Sequence, residues 1–212
     1  MKLPQQYLNK TEWTLIGPMG PLVPSHLKAY PLLAIDGGAK YLERIDIWVG
    51  DGDSHKEVLT HCEHIFKYPP EKDMSDLALA LSAFSTQLSY KLHFWGLLGG
   101  RRDHELFNLG EALSFLESHT ESEILFYNQT GEVSFQLFSQ GDWSFDHHGS
   151  FSLGSLKDVQ VTLTGACSYP IPTPRIIHPL SSLGLSNQAL GKVSLIIKGP
   201  IFIYYPGGKI ES

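Results

Sequence analysis

Residues 45–54 read Ile45-Asp46-Ile47-Trp48-Val49-Gly50-Asp51-Gly52-Asp53-Ser54. A short apolar run, Ile45 to Val49, stops at a turn made of two glycines and two acids. Runs of this length bounded by Gly or Pro suit strands of a parallel sheet buried on both faces. The pattern recurs through the first half of the chain. Trp13 to Ile16 precedes Gly17-Pro18-Met19-Gly20-Pro21, and Leu32 to Ile35 precedes Asp36-Gly37-Gly38. Ile65 to Tyr68 precedes Pro69-Pro70, Leu92 to Leu98 precedes Gly99-Gly100, and Ile124 to Tyr127 precedes Asn128 and Gly131.

Two helical stripes lie among these runs. Leu77, Leu81, Phe84 and Leu88 recur at helical spacing, with Ser75 or Asp73 available as a cap and Asp76 in the first turn. Leu106, Leu109, Leu113 and Leu116 form a second stripe just after His104. Strands alternating with helices predict an α/β domain with a mostly parallel six-stranded sheet over residues 1–130. Beyond it the helical period disappears. Val133 to Phe138, Trp143 to Phe145, Phe151 to Leu156, Val159 to Leu163, Val193 to Ile197 and Ile201 to Tyr205 are separated by turn residues. They predict an all-β sandwich domain over 131–212, with Pro170 to Pro179 as a loop inside it.

Composition narrows the function. A net charge of −6 argues against a nucleic-acid surface, which is usually basic. No apolar run is long enough to span a bilayer, and Met1 to Gln6 lacks the apolar core of a signal peptide. A cytoplasmic protein with no membrane partner is expected. Cys62 and Cys167 stand in no paired spacing and read as reduced, structural residues, with a disulfide as the alternative. His61, Cys62 and His64 lack a fourth partner for zinc, and His147-His148 reads as a surface turn.

The polar residues gather where strands end. In an open parallel sheet the carboxyl ends of the strands share one edge, where ligands bind. Asp36-Gly37-Gly38, Gly50-Asp51-Gly52-Asp53-Ser54, Pro70 to Asp76 and Gly99 to His104 should therefore meet in one cleft. Asp51 and Asp53, one residue apart between glycines, form an oxygen-ligand pair suited to magnesium, which proteins often hold with carboxylates and substrate phosphates. Gly99-Gly100 before Arg101-Arg102 and a helix start offers backbone N–H groups and guanidinium forks to an anion. Each cluster also has a plainer use: turns for Asp36 and Asp51, a cap and a dipole partner for Asp73 and Asp76, a solvated basic turn for Arg101 and Arg102. The P-loop, dinucleotide-binding, protein-kinase and nucleophile-elbow signatures are absent.

Asp36-Gly37-Gly38-Ala39, Gly50 to Ser54, Lys72-Asp73-Met74-Ser75-Asp76, Gly96 to His104 and Ser182-Leu183-Gly184-Leu185-Ser186-Asn187 resemble, in this order, the motifs of the thiamine pyrophosphokinase family. The likeness runs over nearly the whole chain. It implies transfer of a pyrophosphoryl group from ATP to the hydroxyethyl oxygen of thiamine, giving thiamine diphosphate and AMP, in a homodimer whose clefts use both subunits. It implies Asp51, Asp53 and Asp76 as Mg2+ ligands. Asp36, Gly37, Gly38, Arg101 and Asp103 are implied as nucleotide and substrate contacts, and Ser186 and Asn187 as residues near thiamine. Arg101 or Arg102 is expected to stabilise phosphate charge, Lys72 to do the same or to be a solvated neighbour, and Asp73 or Asp103 to orient or deprotonate the alcohol. Gly52 departs from the family's larger apolar residue, Ser75 replaces the commoner Thr, and Gly165 to Pro170 is one residue longer than the family's pattern. Two rival readings keep the cleft: a related pyrophosphokinase acting on a pterin or pyrimidine alcohol, and a nucleotide- or thiamine-binding regulator without catalysis.

Overall fold

A computed structural model describes residues 1–20, 22–52 and 58–209. The strands are β1 (Glu12–Ile16), β2 (Leu32–Ile35), β3 (Ile45–Gly50), β4 (Cys62–Lys67), β5 (Lys91–Trp95), β6 (Glu123–Tyr127), β7 (Val133–Phe138), β8 (Gly141–Gly154), β9 (Val159–Cys167), β10 (Ile171–Ile177), β11 (Asn187–Ile197) and β12 (Ile201–Lys209). The α-helices among the described residues are α1 (Asp76–Leu81) and α2 (Arg102–Ser118). All twelve strands hydrogen-bond in the order β10-β9-β11-β8-β12-β7-β6-β5-β1-β2-β3-β4.

The six strands β1 to β6 pair parallel throughout. They are not a self-contained six-stranded α/β domain, as the alternation predicts, but one end of a mixed 12-stranded sheet with few helices. The chain lays down β1, β2, β3 and β4 outward in one direction. It then returns to place β5 and β6 on the other flank of β1. Beyond β6 every pairing is antiparallel, beginning with Glu123 opposite Phe138.

Burial explains why the first-half runs are continuously apolar. Trp13, Leu15, Leu33, Ile47, Val49, Leu92, Phe94 and Ile124 point to one face, against Leu77, Leu81, Leu113 and Leu116 of the helices. Ile16, Leu32, Ala34, Trp48, Leu125 and Tyr127 point to the other and share a core with the antiparallel strands. β8 changes partner along its length within the antiparallel half: residues 141–151 pair with β11, and 152–154 pair with β12. That switch sets the Phe145 ring 6.1 Å from Tyr205 of β12.

Several elements differ from their sequence prediction. The stripe from Leu77 to Leu88 predicts a longer helix, yet α1 ends at Leu81. Ser82-Ala83-Phe84-Ser85-Thr86 follows, and its hydroxyls bond locally: Ser82 Oγ donates to Leu79 O at 2.7 Å. Phe84 is still buried, so its spacing records a core position rather than a helical one. The Pro-rich stretch forms β10, whose prolines are tolerated because it is the last strand of the order. His147 and His148 lie within β8 rather than in a turn. Among the described residues, no helix is long and apolar enough to cross a membrane.

Candidate active site

Strand order reverses at β1, where β2 departs on one side and β5 on the other. The segments leaving these strands must splay apart, and the crevice they leave is the expected ligand site of a parallel sheet. A cleft of about 450 Å³ occupies it. Its walls come from Pro18 and Met19 after β1, Asp36 after β2, Pro70, Lys72 and Met74 to Leu77 ahead of and within α1, Gly96, Leu97, Gly100 and Arg101 after β5, and the first turns of α2.

The acidic wall is built by close backbone approach. A Cβ on Gly38 would lie 2.0 Å from the Ile16 carbonyl oxygen, so glycine alone lets the turn after β2 press on the end of β1. This contact carries Asp36, in a left-handed conformation (φ 45°) that Asp tolerates better than most residues. Trp48 Nε1 donates to the Asp36 carbonyl at 2.9 Å and fixes the turn from β3. Ser75 caps α1 by accepting the Ala78 N–H at 3.0 Å, which places Asp76 on the first helical turn facing the cleft. Lys72 Nζ lies 3.1 Å from Asp76 Oδ1. Burial pushes the Asp76 carboxyl above its ordinary range; Lys72 opposes that rise, while the negative fields of Asp36 and Asp51 add to it. Three carboxylates from three separate strand ends thus share one neighbourhood. Gly52 has φ +75°, so glycine suits this turn where a larger residue would be strained. Asp53 lies outside the described residues.

The opposite wall is cationic and glycine-rich. Arg101 grips Asp103 with two hydrogen bonds, Nε to Oδ1 at 3.1 Å and Nη2 to Oδ2. The Asp103 carboxyl drops to about 2, chiefly through that bond, helped by the His104 N–H at 3.0 Å. Its folded value is below its ordinary one, so the ionised pair forms above about pH 4 and is lost as pH falls towards 2. Arg101→Gln should return the Asp103 titration, followed by carboxyl 13C NMR, to near its ordinary 3.8. An unmoved titration would mean that Arg101 is not its partner in solution.

Two side chains of α2 brace the turn after β5. Asn108 Nδ2 donates to the Leu97 carbonyl at 2.9 Å, and Glu105 Oε1 accepts the Gly99 N–H at 2.5 Å. Arg101, His104, Glu105 and Asn108 recur at helical spacing and all line the cleft. The leucine stripe drew attention to the other face, and its first member, Leu106, is 56% exposed at the start of α2. The polar repeat is the signal for Glu105 and Asn108, which the sequence reading passes over; His104 closes the Gly99 to His104 cluster expected in the cleft.

Of the sequence-predicted residues, Asp36, Lys72, Asp76 and Arg101 line the cleft, and Asp51 acts on Asp76 from beside it. Gly37 and Gly38 are buried supports beneath it. Asp73 and Arg102 are exposed and form no part of its wall, and Asp103 reaches it only through Arg101. Ser186 and Asn187 are on the antiparallel half, away from this cleft. Asn187 is 4% exposed and fully used: Oδ1 accepts Tyr169 N–H at 3.0 Å and Nδ2 donates to Tyr169 O at 2.8 Å. Among the described residues, no group of three His, Cys, Asp or Glu side chains is arranged to enclose a metal.

Comparison with known proteins adds three findings. Residues 27–126 match the family described as the catalytic domain of thiamin pyrophosphokinase. No curated protein sequence matches the chain. Among solved structures, the chain resembles thiamine pyrophosphokinase from Bacillus subtilis (22% identity, 92% of this chain and 97% of that one, TM-score 0.70). It also resembles a thiamin pyrophosphokinase family protein from Enterococcus faecalis (21%, 95% and 100%, 0.70) and the thiamin pyrophosphokinase of Candida albicans (14%, 94% and 90%, 0.72). At these identities the structural likeness speaks for the fold.

Proposed function

We propose that this chain, whose residues 27–126 match the catalytic domain of thiamin pyrophosphokinase, moves the pyrophosphoryl group of ATP onto the hydroxyethyl oxygen of thiamine, giving thiamine diphosphate and AMP. The observation that carries this reading is the cleft at the strand-order reversal, with the carboxylates of Asp36 and Asp76 on one wall and Gly100 and Arg101 on the other. Phosphoryl transfer asks a protein mainly for positioning and charge stabilisation, and these two walls supply both.

Magnesium fits the acidic wall. Asp36, Asp51 and Asp76 are oxygen donors, and burial, followed by the charges of Asp36 and Asp51, raises the Asp76 carboxyl. Asp51 and Asp76 would hold the ion, with Asp53 as a further ligand and Lys72 as the counter-charge of Asp76. When bound, the ion supplies charge neutralisation of the triphosphate. Arg101, oriented by Asp103, is aimed at phosphate oxygens. The alcohol oxygen forms a bond to the β-phosphorus while the bond from that phosphorus to the α-phosphate oxygen breaks, and AMP leaves with the electron pair. The alcohol proton passes to solvent or phosphate. Asp103 at about 2 is too weak a base for the task, and Asp73 is outside the cleft wall.

Thiamine is a cation, and the net negative charge of the cleft suits it. Asn187 clamps Tyr169, whose ring is 67% exposed on the antiparallel half. In our reading a second copy of the chain brings Tyr169, Ser186 and their neighbours to this cleft, so that the working unit is a homodimer. A cytoplasmic setting fits a reaction that draws on ATP. Incubation with ATP, magnesium and thiamine tests the whole. AMP released only when thiamine is present supports it. AMP released only with a different alcohol, or nucleotide binding without AMP, overturns it.

A further inference from the structure

Glu105 does something the reaction does not require. Its carboxylate lies on the cationic wall and accepts the Gly99 N–H at 2.5 Å. Gly99, at φ +87°, directly precedes Gly100 of the cleft wall, and its amide is of the kind that binds phosphate oxygens in such turns. An acid there adds a fourth negative group to a cleft that already has Asp36, Asp51 and Asp76, against Lys72 and Arg101. Mere bracing of the turn has an uncharged solution next to it: Asn108 already holds the Leu97 carbonyl from the same helix face.

We propose that Glu105 stands in for a phosphate oxygen on the Gly99 amide and is displaced when the triphosphate enters, which makes it a positioning residue that tunes nucleotide affinity. The inference rests on the reading of the cleft as a triphosphate site. Its physical content is a competition. The apparent affinity for nucleotide is lowered by the fraction of molecules in which the amide is already taken. A hydrogen bond to a charged acceptor is strong enough to make that fraction large. Displacement leaves the carboxylate free to turn to solvent, since the first turn of α2 is exposed.

The experiment is calorimetric titration of the wild type, Glu105→Gln and Glu105→Ala with inorganic tripolyphosphate and with MgATP, with steady-state kinetics alongside. Both substitutions should tighten tripolyphosphate and MgATP binding by about tenfold and lower KM for ATP, with KM for thiamine unchanged. Glu105→Gln keeps the size of the native side chain, and thermal unfolding of both variants separates the loss of charge from a loss of folding. A pure brace predicts the reverse, weaker nucleotide binding on truncation. Unchanged or weaker binding by both variants, with the wild type binding normally, overturns this inference alone. A wild type that binds no MgATP overturns the reading of the cleft, and the inference with it.

Discussion

Asp51→Asn should lower turnover at fixed magnesium by at least ~10²-fold, the usual scale for losing a charged group that acts on a developing phosphate charge. Asp51 directly follows β3 and is half-buried beside the cleft. The same substitution carries a second, opposite signature. The Asp51 charge is one of the causes that raise the Asp76 carboxyl. Its removal should lower the Asp76 titration slightly, burial remaining the main cause of its rise, and the metal-free protein should unfold at the same temperature or slightly higher. An acid placed for stability behaves the other way round, losing stability when neutralised. Near-native turnover in a steady-state assay of AMP release would remove Asp51 from the metal site.

Gly38→Ala should be the most damaging small substitution near the cleft. The added methyl meets the Ile16 carbonyl oxygen at 2.0 Å and its carbon at 2.7 Å, both main-chain atoms at the buried end of β1. Neither can swing aside, so the turn carrying Asp36 must lift. Overpacking of this kind costs about 3 kcal/mol, or roughly 6–12 °C in Tm for a chain of this size, and activity should fall with it. Gly110→Ala provides the contrast. Gly110 lies inside α2 with nothing within 4 Å of an added Cβ, and the change should stabilise by about 0.5–1 kcal/mol. Thermal unfolding of the two variants decides: equal melting temperatures would mean that the turn at Gly38 yields.

What the sequence makes legible follows from which physics is local. The parallel strands are readable because each is apolar on both faces and stopped by Gly, Pro or Asp; β2, β3 and β6 begin and end within about two residues of their predicted bounds, a shift ordinary for strand ends. The convergence of Asp36, Asp76 and Arg101 is readable because parallel pairing alone sends strand ends to one edge. What is not legible depends on distant partners. Whether Pro172 and Pro174 form a loop or an edge strand is decided by β9. Whether 141–154 is two strands or one is decided by β11 and β12 together. Arg101 and Arg102 are equivalent in the sequence, and only the start of α2 turns one to the cleft and the other to solvent.

The strand β8, shared along its length by β11 and β12, has a mechanical consequence. No seam of unpaired backbone separates the residues around the cleft from the antiparallel half, because β6 bonds to β7, β7 to β12, and β12 to β8. A fragment cut near residue 130 would strip the partner from β6 and bare the side of Leu125 and Tyr127 that the rest of the chain covers, leaving an adhesive edge. Removing either half is therefore expected to destabilise the other, and a single thermal transition of the intact chain would be its signature.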